Sequence, residues 1–479
     1  MYALALFNQR TYLGFRDPNN SNLVYNFVPN NSRGFAGRAG YDYKSKYLFE
    51  LDGAYNGTDA FSAGKRFGFF PSASAGYNIS EEPFFKNNIK FVDRLKFRGS
   101  YGLVGSDQIG NYQYAYTQTY NTSGNANFGA SSNNYAAIYE GRLGNNDVTW
   151  EKEKKLNIGV ELSMFKGKVT STVDLFNNNR YDILTTRGTV SAIFGQALPP
   201  VNLGKTNNRG FEVEAAYNDN IGKDFTFRIG GNISVAKNKI VFQDEPQALN
   251  AYQLYTGNPI GTPLQYKYLG FYTAADIADP KVAKPTTSVK AGDLKYADLN
   301  GDGIITAFDQ SYFGSPNLPN TVFGFNFNAN YKNFALTVFF QGAVNFNVAG
   351  VRESIQAFGS NLQQIHLQSW TPELGDNAKY PILSYTPNAI SNPTTPSDFW
   401  NVRGDYIRLK SVEFSYALPQ KWMNKVHLKA ARIYTNGTNL ITWTKLSSLY
   451  GYDPEIATNG TTTNYPPQRL YNMGLSVTF

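Results

Sequence analysis

The chain has 479 residues, among them 34 Tyr, 35 Phe and 43 Gly, with no Cys and a formal charge of +8. No apolar run reaches the ~18 residues a membrane-spanning helix needs, so such helices are excluded, and the lack of cysteine excludes disulfides, thiolate metal sites and cysteine nucleophiles. Lys and Arg are interspersed with Asp and Glu, which argues against nucleic-acid binding and leaves anionic lipid headgroups as the partner for the excess charge.

The chain opens on a strand. Met1-Tyr-Ala-Leu-Ala-Leu-Phe-Asn8 lacks the basic start and cleavage site of a secretory signal, so a piece of a longer exported protein or a split gene product is expected. Further on, Leu156, Ile158, Val160, Leu162 and Met164 alternate with Asn157, Gly159, Glu161 and Ser163. Val169, Ser171, Val173 and Leu175 alternate with Thr170, Thr172 and Asp174. Phe211, Val213, Ala215 and Tyr217, then Phe225, Phe227 and Ile229, repeat the pattern. Phe323, Phe325, Phe327, Ala329 and Tyr331 alternate with Gly324, Asn326, Asn328 and Asn330, and Phe334, Leu336, Val338 and Phe340 follow. Period 2 is the strand period; one apolar and one small, polar face suit a wall between lipid and a watery lumen. In Tyr406–Leu418 the phase slips between Leu409 and Val412, which predicts a bulge near Lys410–Ser411. The chain ends on Tyr471, Met473, Leu475, Val477 and Phe479, again alternating with small polar residues.

Linkers alternate in length. Short ones fall at Lys44–Lys46, Lys166–Lys168, Asn218–Asp224, Lys332–Asn333 and Pro419–Lys425. Long ones fall at Asp17–Ser32, Ser106–Asp147, Leu184–Val201, Phe242–Pro319, Asn347–Gly404 and Thr442–Arg469. Transmembrane barrels have short periplasmic turns and long external loops, and about fourteen strands fit this parity, with Ser80–Asp93 as a longish inner turn and Asn56–Lys65 as a short outer loop. The expected fold is all-β, a transmembrane antiparallel β-barrel, with residues 242–319, 347–404 and 442–469 external. The strand-like Gln265–Tyr272 is then expected to pair within its loop, and Glu353–Leu367 to form a short helix.

One motif carries metal chemistry. In Asp298-Leu-Asn-Gly-Asp-Gly-Ile-Ile-Thr-Ala-Phe-Asp309, Asp298, Asn300 and Asp302 occupy calcium-loop positions 1, 3 and 5, and Gly303 the sharp turn at 6. Ile304 would offer its carbonyl, Thr306 a hydroxyl or a bridged water, and Asp309 the carboxylate at position 12, where the usual residue is Glu. The alternative is an ion-free Asx/Gly turn. His366 and His427 are far apart in sequence and are expected to be ordinary polar residues. Glu161, Asp174, Glu212 and Glu214 fall on inward faces, where a charge network is expected rather than a catalytic pair, and no catalytic constellation is present.

Gly292-Asp-Leu-Lys-Tyr-Ala-Asp-Leu-Asn-Gly-Asp-Gly303, Phe313-Gly-Ser-Pro-Asn-Leu-Pro319 and the strand after it resemble the SusC/RagA-type TonB-dependent outer-membrane transporters. Leu95-Lys-Phe-Arg-Gly-Ser-Tyr-Gly-Leu-Val-Gly105, Tyr406-Ile-Arg-Leu-Lys410, Tyr434-Thr-Asn-Gly-Thr-Asn-Leu440 and Tyr452-Asp-Pro-Glu455 extend the likeness over nearly the whole chain. The resemblance implies a 22-stranded plugged barrel, of which residues 1–479 are the C-terminal portion. It also implies active import of glycan oligomers or peptides with a SusD-like lipoprotein and energy from TonB. A passive porin or structural barrel is the alternative.

Overall fold

The computed structural model describes residues 1–12, 29–109, 114–128, 133–196, 198–349, 356, 362–446, 453–455 and 467–479. The strands, in chain order, are β1 (Tyr2–Tyr12), β2 (Asn30–Tyr43), β3 (Tyr47–Thr58), β4 (Phe67–Asn78), β5 (Val92–Ser106), β6 (Tyr120–Phe128), β7 (Asn133–Glu140), β8 (Glu151–Met164), β9 (Val169–Thr185), β10 (Val201–Ile221) and β11 (Phe225–Phe242). They continue with β12 (Leu264–Tyr266), β13 (Tyr268–Phe271), β14 (Leu294–Tyr296), β15 (Gln310–Tyr312), β16 (Thr321–Tyr331), β17 (Phe334–Val344), β18 (Asn347–Ala349), β19 (Asn401–Arg403), β20 (Tyr406–Ala417), β21 (Ala430–Thr444) and β22 (Leu470–Thr478). Fourteen form one antiparallel sheet in the order β1-β2-β3-β4-β5-β8-β9-β10-β11-β16-β17-β20-β21-β22. The other eight pair in twos within the linkers. The long and short linkers alternate as the sequence predicts, with the two expected exceptions, a short linker at 59–66 and a longer turn at 79–91. Two of the turns carry helices, α1 (Pro83–Asn88) after β4 and α3 (Gln420–Lys425) after β20, and α2 (Ala274–Ala278) lies in the linker after β11. The chain divides into two compact units: Met1–Ser163, Val173–Phe211 and Asn238–Gln247; and Met164–Thr172, Glu212–Lys237 and Ala248–Phe479.

In the first unit, register turns the alternating residues into rows. Phe7 lies opposite Phe35, Phe35 opposite Tyr55, and Tyr55 opposite Phe69. At the short-turn end Tyr43, Tyr47, Tyr77 and Phe97 form a second row of rings, with Tyr47 and Tyr77 stacked at 5.2 Å. The rows are eight residues apart on β3, which is about 27 Å along a strand. Between them this face carries residues such as Leu51, Ala73 and Tyr101. An apolar band about 25 Å tall between two aromatic girdles is what a transmembrane barrel presents to lipid. The other face carries Arg38, Asp52, Ser72 and Arg98. Near its long-linker end Phe70 lies on this polar face. It is covered by Ala60, Phe61, Ile109, Val148 and Trp150 from the linkers, and Gly68 and Gly105 leave the space its ring fills.

In the second unit the same rule runs across six strands. Phe325 lies opposite Gly231 and Phe340, and Phe327 opposite Ile229 and Val338. Leu336 lies opposite Phe414, which lies opposite Thr435 and so reaches Met473. Asn326 and Asn328 share the other face with Gly230 and Arg228. The bulge is present: Phe339 pairs with Ser411 and Phe340 with Leu409, which leaves Lys410 as the extra residue. It restores the phase, so Ile407, Leu409, Val412 and Phe414 all lie on the apolar face. Most of the expected helix at Glu353–Leu367 lies outside the described residues; Gln364–Gln368 forms a 3-10 turn. Most of the linkers at Asp17–Ser32 and Thr442–Arg469 also lies outside them.

Candidate binding surface

On the polar face of the first unit, charges are arranged in a fixed lattice. Strand alternation puts Arg94, Lys96 and Arg98 of β5 on one side. Arg98 donates through Nε to Glu161 Oε1 at 3.2 Å, through Nη1 to Asn157 Oδ1 at 3.0 Å and through Nη2 to Asp174 Oδ2 at 2.7 Å. Arg94 holds the other oxygen of Glu161 at 2.8 Å, and Lys96 stands 3.5 Å away. A side chain at Gly159 would strike both Arg98 and Asp174, so glycine makes this seat possible. Arg38 donates to Asp52 at 2.6 Å. Glu161 and Asp174 thus share the Arg98 guanidinium, and Asp52 faces Arg38, which is the charge network expected from the inward-facing acids. In the second unit, Glu212 accepts from the Ser234 hydroxyl at 3.1 Å, and Glu214 is exposed.

The second unit carries a tighter cluster. Arg408 of β20 is fully buried. It donates through Nε to Thr442 Oγ1 at 2.9 Å, through Nη1 to Glu455 Oε2 at 2.6 Å and through Nη2 to Asp453 Oδ2 at 2.5 Å. Glu455 Oε1 accepts from Tyr406 Oη at 2.8 Å and Gln341 Nε2 at 2.9 Å. Five donors in a planar fork let one arginine hold two carboxylates and a hydroxyl together. The linker between β21 and β22 is thereby clasped to the sheet at Asp453–Glu455.

Two long linkers fold together as a module. Tyr266, Phe271, Leu294 and Tyr296 from the first pack with Tyr380, Ile390 and Trp400 from the second. The expected pairing inside the loop occurs, β12 with β15 and β13 with β14. Tyr296 Oη donates to the Ile390 carbonyl at 3.0 Å, and Ser391 Oγ donates to Asp293 Oδ1 at 3.0 Å. Burial raises the Asp293 carboxyl above its ordinary range, although the Lys290 N–H and the Ser391 hydroxyl favour its charge. Burial pushes the Tyr272 phenol up to about 12, with the charges of Asp276 and Asp293 adding to it.

Within the module, the Asp298–Asp309 segment closes on itself. Asp309 is fully buried; its Oδ1 accepts from the N–H groups of Leu299 and Asn300, and its Oδ2 from Thr306 N. The last carboxylate is thus returned to the first residues of the loop. Asp298 accepts from Gly301 N at 2.7 Å and Gly303 N at 2.9 Å, and both glycines have positive φ. Asn300 donates to Asp302 at 2.8 Å, and Asp302 accepts from Ile304 N at 2.8 Å. Among the described residues no three acidic or histidine side chains converge as a metal cage. The phenol of Tyr252 is raised by burial first and then by Asp309, Asp298 and Asp302, whose charges share its surroundings.

His366 is buried, accepts from Gln363 N at 2.7 Å through Nδ1 and sits edge-on to Tyr380. His427 occupies a left-handed turn residue after α3. Sequence reasoning alone does not find the Arg408 clasp or the shared core of the two linkers. The clasp had a signal, since Tyr406-Ile-Arg-Leu-Lys410 and Tyr452-Asp-Pro-Glu455 stand out as separate motifs and meet in space.

The sequence profile described as TonB dependent receptor-like, beta-barrel matches residues 2–362. TonB-dependent receptor P26 of Formosa agariphila is 30% identical over 499 residues, covering 97% of this chain and 48% of that protein. TonB-dependent receptor SusC of Bacteroides thetaiotaomicron is 24% identical, covering 93% of this chain and 43% of that protein. The chain spans about half the length of the curated relatives it matches. The fold is similar to that of the RagAB peptide transporter, with a TM-score of 0.74 at 19% identity over 94% of this chain and 48% of that one.

Proposed function

The chain belongs to the TonB-dependent receptor-like β-barrel family, and from that premise we propose that it walls an active outer-membrane importer of the SusC/RagA type. The observation that carries this is the two-faced sheet. Its apolar face has aromatic girdles for lipid, and its polar face carries fixed charges a solute can pass. Residues 1–479 form the barrel portion. Residues 242–319, 347–404 and 442–469 lie outside the cell, where the module offers a surface to a SusD-like lipoprotein. Oligosaccharides or peptides are the solutes, and TonB supplies the energy. The test is uptake by cells carrying the full-length protein, with and without functional TonB. Uptake that is lost with TonB supports the importer, and uptake that persists returns the protein to a passive porin.

The Asp298–Asp309 loop is the calcium site of this reading, with Asp298, Asn300, Asp302, Ile304, Thr306 and Asp309 as ligands. Support comes from the ligand spacing and the return of Asp309 to the loop's start. A loop whose Asp298, Asp302 and Asp309 carboxylates are tied to its own N–H groups, with Asp309 buried, must give up those bonds to a cation and should bind weakly, on the order of 10⁻⁴–10⁻³ M. Calcium should protect the loop from proteolysis in that range, and Asp298→Ala with Asp302→Ala should abolish the protection. Protection indifferent to calcium and chelator leaves the ion-free turn.

A further inference from the structure

In the first unit the outward side of the sheet changes character above the apolar band. Asn157 and Glu161 of β8 and Asp174 of β9 meet Arg98 on the polar face. By strand alternation Ile158, Leu156 and Lys154 of β8 and Leu175, Asn177 and Asn179 of β9 face the other way. Asn207 of β10 donates to Asn177 at 2.6 Å and to Asn179 at 2.9 Å, which puts it on that outward side with Phe211, Arg209 and Lys205. Towards the long linkers, β8 therefore passes from Ile158 and Leu156 to Lys154, and β10 from Phe211 to Arg209 and then Lys205. β9 lies between these two strands, so they stand roughly 10 Å apart. Long cationic side chains on both can reach one ligand over the short amides of β9.

Face and charge decide the occupant. Lys154, Lys205 and Arg209 are exposed, and among the described residues none has a carboxylate within ion-pair distance. Lys154 lies 5.4 Å from the centre of the Tyr181 ring, and the nearby Asp182 is taken by Lys152 at 3.1 Å. A solute moving along the polar face does not reach this side of the sheet. A neutral headgroup would leave three cations without a counter-charge. Free phosphate would leave Leu156 and Phe211, just below the cations, without an apolar partner. A lipid that carries phosphate above its acyl chains satisfies both. Resting on the membrane-wall reading and its orientation above, we propose that the outward side of β8–β10 binds a phosphorylated lipid headgroup of the outer leaflet. Lys154, Lys205 and Arg209 hold its phosphate groups, and its acyl chains lie along Leu156 and Phe211.

The test is native mass spectrometry of the detergent-purified full-length protein mixed with lipid A, with dephosphorylated lipid A or with inorganic phosphate. Lipid A should be held at least about ten times more tightly than either of the others. Lys154→Gln combined with Arg209→Gln should weaken it by about tenfold or more. Both side chains are exposed, so their replacement leaves the packing of the sheet alone. Lys223→Gln combined with Lys421→Gln removes the same charge from exposed positions at the short turns and should leave binding unchanged. Equal loss in the two double variants, or no loss in the first, overturns the proposal. So does dephosphorylated lipid A or inorganic phosphate held as tightly as lipid A. Binding in detergent needs neither TonB nor a particular orientation, which separates it from the importer reading. Binding that depends on Lys154 and Arg209 without TonB-dependent uptake overturns the importer alone. TonB-dependent uptake with binding indifferent to both substitutions overturns this site alone.

Discussion

Phe325 and Asn326 are adjacent in the chain and stand on opposite faces of β16. Phe325 shares its row with Gly231 and Phe340 on the apolar face, whereas Asn326 shares its row with Gly230 and Phe339. A cation at the first position must enter hydrocarbon, and at the second it enters water. Phe325→Arg is therefore expected to destabilise the folded protein by about 2–4 kcal/mol, and Asn326→Arg by clearly less. Urea unfolding in lipid vesicles measures both, and equal losses would reject the assignment of faces. Arg408 makes a different prediction, because its cost lies in the partners it would leave behind. Arg408→Gln strands Asp453 and Glu455 beside the sheet and should cost about 3–5 kcal/mol. Neutralising both acids in the same protein should recover part of that loss. If the triple variant unfolds no later than Arg408→Gln alone, the clasp is not electrostatic.

At the scale of elements, the linker module has its own pH dependence. An unfolded tyrosine titrates near 10.0, and Tyr272 near 12, because the folded module buries its ring. The folded state keeps a proton that the unfolded state releases. The stabilisation is therefore complete below pH 10 and is lost as the pH rises from about 10 to about 12. Tyr272→Phe should lower stability at neutral pH by about 0.5–1.5 kcal/mol, since the hydrogen bond to the Ala283 carbonyl is lost. It should also flatten the alkaline fall, as limited proteolysis of the module across pH 9–12 would detect. An unchanged slope would mean that Tyr272 ionises without opening the module. The same contrast marks what could be read from the chain. The sheet strands and the Lys410 bulge are legible because their signal is local, a period of two and one slip in its phase. The module is not, because Tyr266 and Trp400 belong to one core and come from different linkers with no shared period. The Arg408 clasp is hidden for the same reason: both halves are visible as motifs, but nothing local says that they meet.

At the scale of the whole molecule, linker parity orients the chain. Counted along the fourteen sheet strands, the six longest linkers all fall at alternate positions, although residues 59–66 make a short linker among them and residues 79–91 a longer one among the turns. Parity was legible from the sequence because one misread strand would have inverted every linker after it, and none was inverted. It does not say which end is outside; the orientation proposed above takes that from the rule that transmembrane barrels keep short turns in the periplasm and long loops outside. Residues 1–479 contain no cysteine, so a thiol introduced among them has no competitor within this stretch. Ala275 is exposed in the linker after β11, and Lys223 is exposed in the turn between β10 and β11. In intact cells a membrane-impermeant maleimide should label Ala275→Cys and spare Lys223→Cys until the outer membrane is opened. The reverse pattern would turn the molecule over, place the linker module and the Arg408 clasp in the periplasm, and remove the surface assigned to a lipoprotein partner. Labelling of both in intact cells would mean that the sheet does not separate the two ends, and the membrane-wall reading would fall with it.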